Sequence, residues 1–177
     1  KKLQKYQQQL EQQFADIYQI CDAFTVLCEP YQDIFKTRLQ ILEAGKMVVM
    51  PNATPPTTKQ PNLNKRNQLL YVGRMSYADK RVDRLLDIWK NIYQKFPDWE
   101  FLLVGDGEER ANLERQAKAY DLERITFCGT TNDPYKYYHN ASILCLSSQF
   151  EGIPLVILEA QQAGVIPIAF NCSAGVE

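Results

Sequence analysis

Two carboxylates, Glu151 and Glu159, stand eight positions apart in Phe150-Glu151-Gly152-Ile153-Pro154-Leu155-Val156-Ile157-Leu158-Glu159-Ala160. An ionised carboxylate only accepts hydrogen bonds and can take two hydroxyl donors at once, which suits a ribose diol or a hexose ring. Pro154 fits the first position of a helix, where its fixed φ helps and its missing N–H is not needed. Glu151 then falls in the preceding loop and Glu159 in the second turn, so both can face one ligand. The helix start adds unpaired N–H groups and a positive dipole end, a seat for phosphate around Gly152, Ile153, Pro154 and Leu155. Gly164 marks the helix end. Leu155 to Leu158 is apolar on every face, which predicts a helix covered on both sides by protein. A lone acid there would ordinarily be satisfied by a nearby arginine or amide. A pair of them points to a ligand rich in hydroxyls.

Cations that could answer a phosphate occur at Gly73-Arg74 and, six residues later, at Lys80. Arg74 can offer two parallel hydrogen bonds, and either cation could otherwise be solvated surface charge. Gly105-Asp106-Gly107 lacks the third glycine of a dinucleotide fingerprint and reads as a tight turn. The single histidine, His139, is expected to cap a helix end rather than to act as a base, and no acidic or thiolate cluster has metal-ligand spacing. No metal and no cofactor is therefore expected. Cys21, Cys28, Cys128, Cys145 and Cys172 form no CxxC pair and read as free thiols. Their odd number without a signal peptide implies a reducing cytoplasm.

These residues need elements to hold them. Leu3, Tyr6, Leu10, Phe14, Ile17 and Tyr18 give an amphipathic helix over residues 1 to 20. Strands at 24–28 and 46–50 flank a helix from about 31 to 42. Residues 51–61 hold four prolines and read as a stiff linker. Beyond it come apolar strands at 69–72, 101–104, 125–128, 143–146 and 166–170. Val82, Leu85, Leu86, Trp89, Ile92, Tyr93 and Phe96 form a helical stripe; Glu108 and Glu109 open another helix, and Asp133-Pro134 caps a short one. Strands joined by helices predict an α/β fold, a Rossmann-like parallel sheet covered on both faces, with ligand beyond the carboxyl ends of the strands. Pro167 lies awkwardly in the last strand, since proline cannot donate to a ladder.

The chain has 177 residues, enough for one ordinary domain and short of two. Its net charge of −1 and lack of a basic stripe argue against a nucleic-acid partner. No apolar run approaches the ~20 residues needed to span a bilayer.

Glu151, seven residues and Glu159, in the form EGIPLVILEA followed by Gly164 and Pro167, resemble the signature of retaining glycosyltransferases of family 4, also called group 1. Pro154 stands where many members have a second glycine, a variation of the cell-surface-polysaccharide branch. The resemblance spans about residues 20 to 177 and implies the donor-binding half of a two-lobed, GT-B glycosyltransferase. Residues 1–56 would be the tail of the acceptor-binding domain plus linker, through Cys21-Asp22-Ala23-Phe24-Thr25-Val26-Leu27 and Val48-Val49-Met50-Pro51-Asn52. Residues 57–177 would be the donor-binding domain, stopping short of the family's usual C-terminus.

By the same resemblance Glu159 holds the donor ribose, Glu151 approaches the transferred sugar and its phosphate, and Gly73, Arg74 and Lys80 form the pyrophosphate grip. Arg81 departs from the family's usual glycine, adding charge or altering the loop's approach. Phe127 and Gly129 lie where members present backbone to the nucleobase, with Thr126 or Thr130 assisting, and the terminal loop 171–177 could touch sugar or phosphate. The implied enzyme moves a hexosyl unit from a UDP-sugar to a glycan or lipid-linked glycan in bacterial cell-surface polysaccharide biosynthesis. It is expected at the inner face of the membrane, through the missing domain. Two rivals remain: a nucleotide-sugar-binding fragment without chemistry, distinguished by the absence of an upstream acceptor domain, and a sugar-nucleotide epimerase, whose acid and base do not stand out.

Overall fold

The computed structural model describes residues 2–41, 45–56 and 60–177. Leu42, where the second helix was expected to end, linker residues Thr57, Thr58 and Lys59, and the side chain of Leu3 lie outside the described residues. The chain divides into two compact units, residues 1–52 and 53–177.

In the first unit α1 (Lys2–Ile20) precedes β1 (Phe24–Val26), α2 (Glu29–Leu39) and β2 (Met47–Val49). The two strands pair in parallel, Thr25 opposite Val48. The α1 stripe is amphipathic as expected, and its Phe14 meets Phe24 and Phe35 edge-on at 6.4 and 5.7 Å. Tyr18 of the stripe is buried, whereas Tyr6, Leu10 and Ile17 remain exposed. A proline in the first turn starts α2, and Gln40 in the left-handed region ends it.

The second unit is built on a five-stranded parallel sheet of β3 (Arg66–Val72), β4 (Glu100–Val104), β5 (Ile125–Gly129), β6 (Ala141–Leu146) and β7 (Ile166–Ala169), in the order β5-β4-β3-β6-β7. Between them run α3 (Val82–Ile92), α4 (Arg110–Ala119), α5 (Tyr135–Tyr138) and α6 (Leu155–Gln162). Pro167 pairs opposite Leu144 from the edge strand β7, the place in a sheet where a missing N–H is tolerated.

Alternation along the strands sorts two cores. Leu69, Tyr71, Phe101 and Leu103 face α3 and α4, while Leu70, Val104, Leu144 and Leu146 face α5 and α6. On α3, Val82, Leu85, Leu86 and Trp89 are buried at helical spacing, each fully buried side chain worth roughly 1.5–3 kcal/mol.

Among the described residues the expected cover is partial toward α5 and α6 and stops short on the α3 side. Past Trp89, a cavity of about 420 Å³ lined by Leu85, Ile88, Ile143, Ile168 and Phe170 leaves the α3 side of β6 and β7 open. The helix carrying Glu159 is likewise covered on one side only: Ala160 is buried, Val156, Ile157 and Leu158 are half-buried, and Leu155 is 46% exposed. Its all-round apolar pattern reports a need for cover that the described residues meet only toward the second core.

Candidate functional site

The chain starts the sheet at β3, winds outward to β5, then returns to lay β6 against the other side of β3. Loops after two neighbouring strands thus diverge in opposite directions, which opens a crevice at their carboxyl ends. Arg74 and Lys80 lie on the β3 loop, and Ser147, Ser148 and Glu151 on the β6 loop.

Backbone bonds lace these loops together. The Gly73 N–H donates to the Val104 carbonyl at 3.0 Å, that of Met75 to Asp106 at 2.8 Å, and that of Gly105 to Gly129 at 2.8 Å. Gly105 and Gly107 do more than turn the chain, because a Cβ on either would collide with the backbone of Gly73 or Met75. They are spaced for close approach of the β3 loop, and the tight-turn reading is corrected to that extent.

Each cation on the β3 loop is matched to a carboxylate. Lys80 Nζ lies 2.7 Å from Glu151 Oε1, a pair that leaves the side chains 24% and 10% exposed. Ser148 Oγ donates to the same oxygen at 2.6 Å. Arg74 Nη2 lies 2.7 Å from Asp79 Oδ2, whose other oxygen accepts from Ser76 Oγ and from the Lys80 N–H. Burial pushes the Asp79 carboxyl up, but hydrogen bonds from Ser76 and Arg74, with the charges of Arg74 and Lys80, hold it below its ordinary value.

The Asp79 carbonyl also accepts from the Gln149 N–H at 2.6 Å, and Ser147 Oγ donates to the carbonyls of Lys80 and Arg81 at 3.1 and 2.7 Å. Of the three buried serines at the crevice floor, Ser147 fastens the two loops together, while Ser76 and Ser148 each hold the carboxylate of their own loop, Asp79 and Glu151. Below them the buried Tyr71 hydroxyl donates to the Arg74 carbonyl at 2.7 Å.

Arg81 adopts φ 48°, the left-handed region where glycine is at ease and other residues are strained. That explains why glycine suits this position. The Arg81 charge is occupied, its guanidinium forked onto Asp83 at 3.0 and 2.9 Å and lying over the Tyr77 ring at 4.4 Å. The charge that Arg81 adds is thus paired with Asp83, and its left-handed backbone shapes the loop.

Glu159 sits in the second turn of α6, and its Oε2 accepts from the Tyr138 hydroxyl at 2.9 Å. Burial, then the Glu159 charge, raises the Tyr138 hydroxyl above its ordinary value, so it stays a donor. Pro154 is corrected from the first helical position to the N-cap, since its ψ of 116° is extended. The N-cap residue Pro154 makes no side-chain cap bond, and the Ile157 N–H donates to the Pro154 carbonyl at 3.1 Å, so the helix start at Leu155 presents the positive end of its dipole to the loop ahead of it. Gly164, at φ 73°, follows the helix end as expected.

Gly152 and Ile153 meet the terminal loop: Ser173 Oγ donates to the Gly152 carbonyl at 3.4 Å, and a Cβ on Gly175 would strike that carbonyl. Phe127 points into the first core, which leaves only its backbone for a ligand, and the Gly129 carbonyl is taken by Gly105. Asp133 does not cap α5; Pro134 is the N-cap and makes no side-chain bond. His139 closes α5, and all five cysteines are free thiols. Among the described residues no group of three His, Cys, Asp or Glu could hold a metal ion, and no helix is long and apolar enough to cross a membrane.

Of the residues the sequence singled out, the fold joins Lys80 directly to Glu151 and sets Arg74 on the same loop. Sequence reasoning missed Asp79, Ser76, Ser148 and Tyr138. Asp79 and Ser148 had a weak signal, as polar residues beside the chosen cation and just after an apolar strand; Tyr138, one of three tyrosines in a single turn, had none.

Comparison with known proteins gives the family and the fold. The family model described as glycosyl transferases group 1 matches residues 53–177. A Haemophilus influenzae protein described as an uncharacterized glycosyltransferase is 41% identical over 162 residues, 89% of this chain and 44% of its own length. The amylovoran biosynthesis glycosyltransferase AmsD of Erwinia amylovora is 39% identical over 63% of this chain and 31% of its own length. The chain thus spans less than half the length of these relatives.

Among solved structures, a mutant of S. aureus TarM in complex with UDP, fondaparinux and alpha-GlcNAc-glycerol superposes with TM-score 0.81 at 20% identity, over 99% of this chain and 34% of that one. Anabaena HepE in complex with UDP and glucose gives 0.76 at 18% identity, over 96% and 50%. Both likenesses concern the fold, the Rossmann-like half of a GT-B enzyme. With the family signature at the switch point of such a sheet, the chain belongs to the group 1 glycosyltransferases.

Proposed function

We propose that residues 53–177 bind the nucleotide-sugar donor of a retaining glycosyltransferase. The protein of full relative length would transfer a hexosyl unit from a UDP-sugar to a glycan or lipid-linked glycan in bacterial cell-surface polysaccharide biosynthesis. One observation carries the reading: two cations and the Glu151 carboxylate converge at the carboxyl ends of β3 and β6, beside the start of the helix that carries Glu159. UDP in the TarM and HepE complexes supports the choice of nucleotide, and relatives named for amylovoran and lipopolysaccharide support the choice of product.

In this reading Glu159 accepts hydrogen bonds from the ribose diol, and the first-turn amides of α6 face the diphosphate. Lys80 and Arg74 exchange their carboxylate partners for phosphate oxygens and stabilise the charge that develops on the leaving diphosphate. Glu151, released from Lys80, then lies near the transferred sugar. The chemistry is charge stabilisation of a leaving group and requires neither a protein nucleophile nor a metal. Because the chain spans under half of its relatives' length, transfer needs an acceptor wall from the rest of the protein, which holds the acceptor hydroxyl at reacting distance.

A thermal-shift series with UDP-, GDP- and ADP-sugars tests this, since a ligand of the folded state raises its melting temperature. Stabilisation by UDP-sugars over the others is expected; no response to any of them overturns the reading.

A further inference from the structure

The partner of Glu159 is unusual for a half-buried acid inside an apolar helix, because it is neutral. Acids in such places are ordinarily paired with a cation. Here the partner is Tyr138, 1% exposed, whose ring fills the second core among Leu70, Leu144 and Ala163 and whose hydroxyl reaches Glu159 Oε2 at 2.9 Å. A cation would cancel the charge and compete with any ligand. A tyrosine hydroxyl orients the carboxylate, occupies one of its roughly four lone-pair sites and leaves the negative charge in place.

The distance between the two helices is also held from below. Lys65 Nζ, just before β3, donates to the Tyr138 carbonyl at 2.8 Å and to the Ala163 carbonyl at 2.7 Å, and so clasps the carboxyl ends of α5 and α6 together. The Tyr138 hydroxyl makes a second bridge between the same two helices one turn higher. Its ring packs into the core, so it can leave the carboxylate only by displacing that packing.

We infer that Tyr138 is a positioning residue, which fixes the Glu159 carboxylate in the orientation that receives the ribose diol of the donor nucleotide, with the Lys65 clasp setting the spacing of the two helices. This rests on the reading of Glu159 as the ribose acceptor. No part of Tyr138 touches the ligand. Its contribution is that the carboxylate need not be ordered when the nucleotide arrives.

The test is calorimetry on this chain with UDP and with 2′,3′-dideoxy-UDP, which keeps base and diphosphate and lacks the diol. The wild-type chain is expected to prefer UDP. Tyr138→Phe keeps the ring in the core and is expected to lower UDP affinity about fivefold while leaving dideoxy-UDP affinity unchanged. A partly unfolded variant would weaken both ligands by one factor, so their ratio reads orientation alone. In a Glu159→Gln background the same substitution is expected to add no further change to the ratio.

An unchanged ratio in Tyr138→Phe overturns the positioning role while the ribose reading stands. A wild-type chain that binds UDP and dideoxy-UDP equally overturns the ribose reading, and the role of Tyr138 with it. A measurement free of variants is the Tyr138 hydroxyl proton resonance, which is expected to shift on adding UDP and to stay in place on adding dideoxy-UDP; the same response to both ligands also overturns the proposal.

Discussion

The loop that carries Glu151 and the helix that carries Glu159 come from one short stretch of sequence, yet the fold gives their carboxylates opposite partners. Glu151 faces a cation 2.7 Å away and a serine hydroxyl, on a loop tied to the β3 loop. Glu159 faces a single neutral hydroxyl from a helix beneath it. The first arrangement is charge-balanced and must open before a diphosphate can use Lys80. The second is charged and already oriented, which suits uncharged hydroxyl donors. Identical residue types thus divide into a carboxylate paired with a cation and one paired with a neutral hydroxyl.

Four substitutions would break or sharpen that contrast. Lys80→Ala is expected to have the largest effect, a loss of about 3 kcal/mol in UDP affinity, because it removes a cation and sets the Glu151 charge against the phosphates without Lys80 between them. Uridine, which has no phosphate, should bind the variant as it binds the wild-type chain; equal losses for both ligands would show that Lys80 serves the fold.

Glu159→Gln comes next, with UDP affinity reduced by roughly 1 to 3 kcal/mol, the scale of a lost charge-assisted hydrogen bond. Its melting temperature should stay close to wild type, since the amide can still accept from Tyr138. A large fall in melting temperature with unaltered affinity would return Glu159 to a structural role.

Glu151→Gln should go the other way. With Lys80 no longer paired to a carboxylate, UDP is expected to bind about 0.5 to 1 kcal/mol more tightly. Weaker binding in calorimetry would mean that Glu151 holds the nucleotide itself, and the contrast between the two acids would be lost.

The smallest effect is expected at Asp79. Its folded carboxyl titrates below the ordinary 3.8, so its stabilising contribution is fully present above about pH 4 and disappears as the pH falls through the lower, folded value. The Arg74 partner is exposed, so Asp79→Asn should cost only about 0.5 kcal/mol. Urea melts in a series from pH 7 downward should show the full difference at pH 7 and a smaller one at each step below about pH 4; a difference that stays constant on acidification would contradict the assignment.

Much of the sheet was legible because each strand is a short apolar run bounded by glycine, proline or charge, and such runs report burial on two faces. The order of the strands, with β6 laid on the far side of β3, is not written in any one of these runs, and it places the motif loops together. What escaped was set by contacts between distant segments. Nothing local to Tyr138 says which tyrosine of its turn meets Glu159, 21 residues on. Arg81 gives no sign of its left-handed backbone, and the role of Gly107 depends on the Met75 backbone packed against it. Pro154 was displaced by one position, since an extended cap and a first helical residue share the same φ.

The most direct test of the donor-nucleotide reading is titration calorimetry of this chain with UDP in the presence of a chelator. Lys80, Arg74 and the start of α6 all lie in residues 53–177 and together can offset a diphosphate. Saturable, one-to-one binding without added metal is the expected result. Absence of binding in chelator, restored only when Mg²⁺ is supplied, would contradict it.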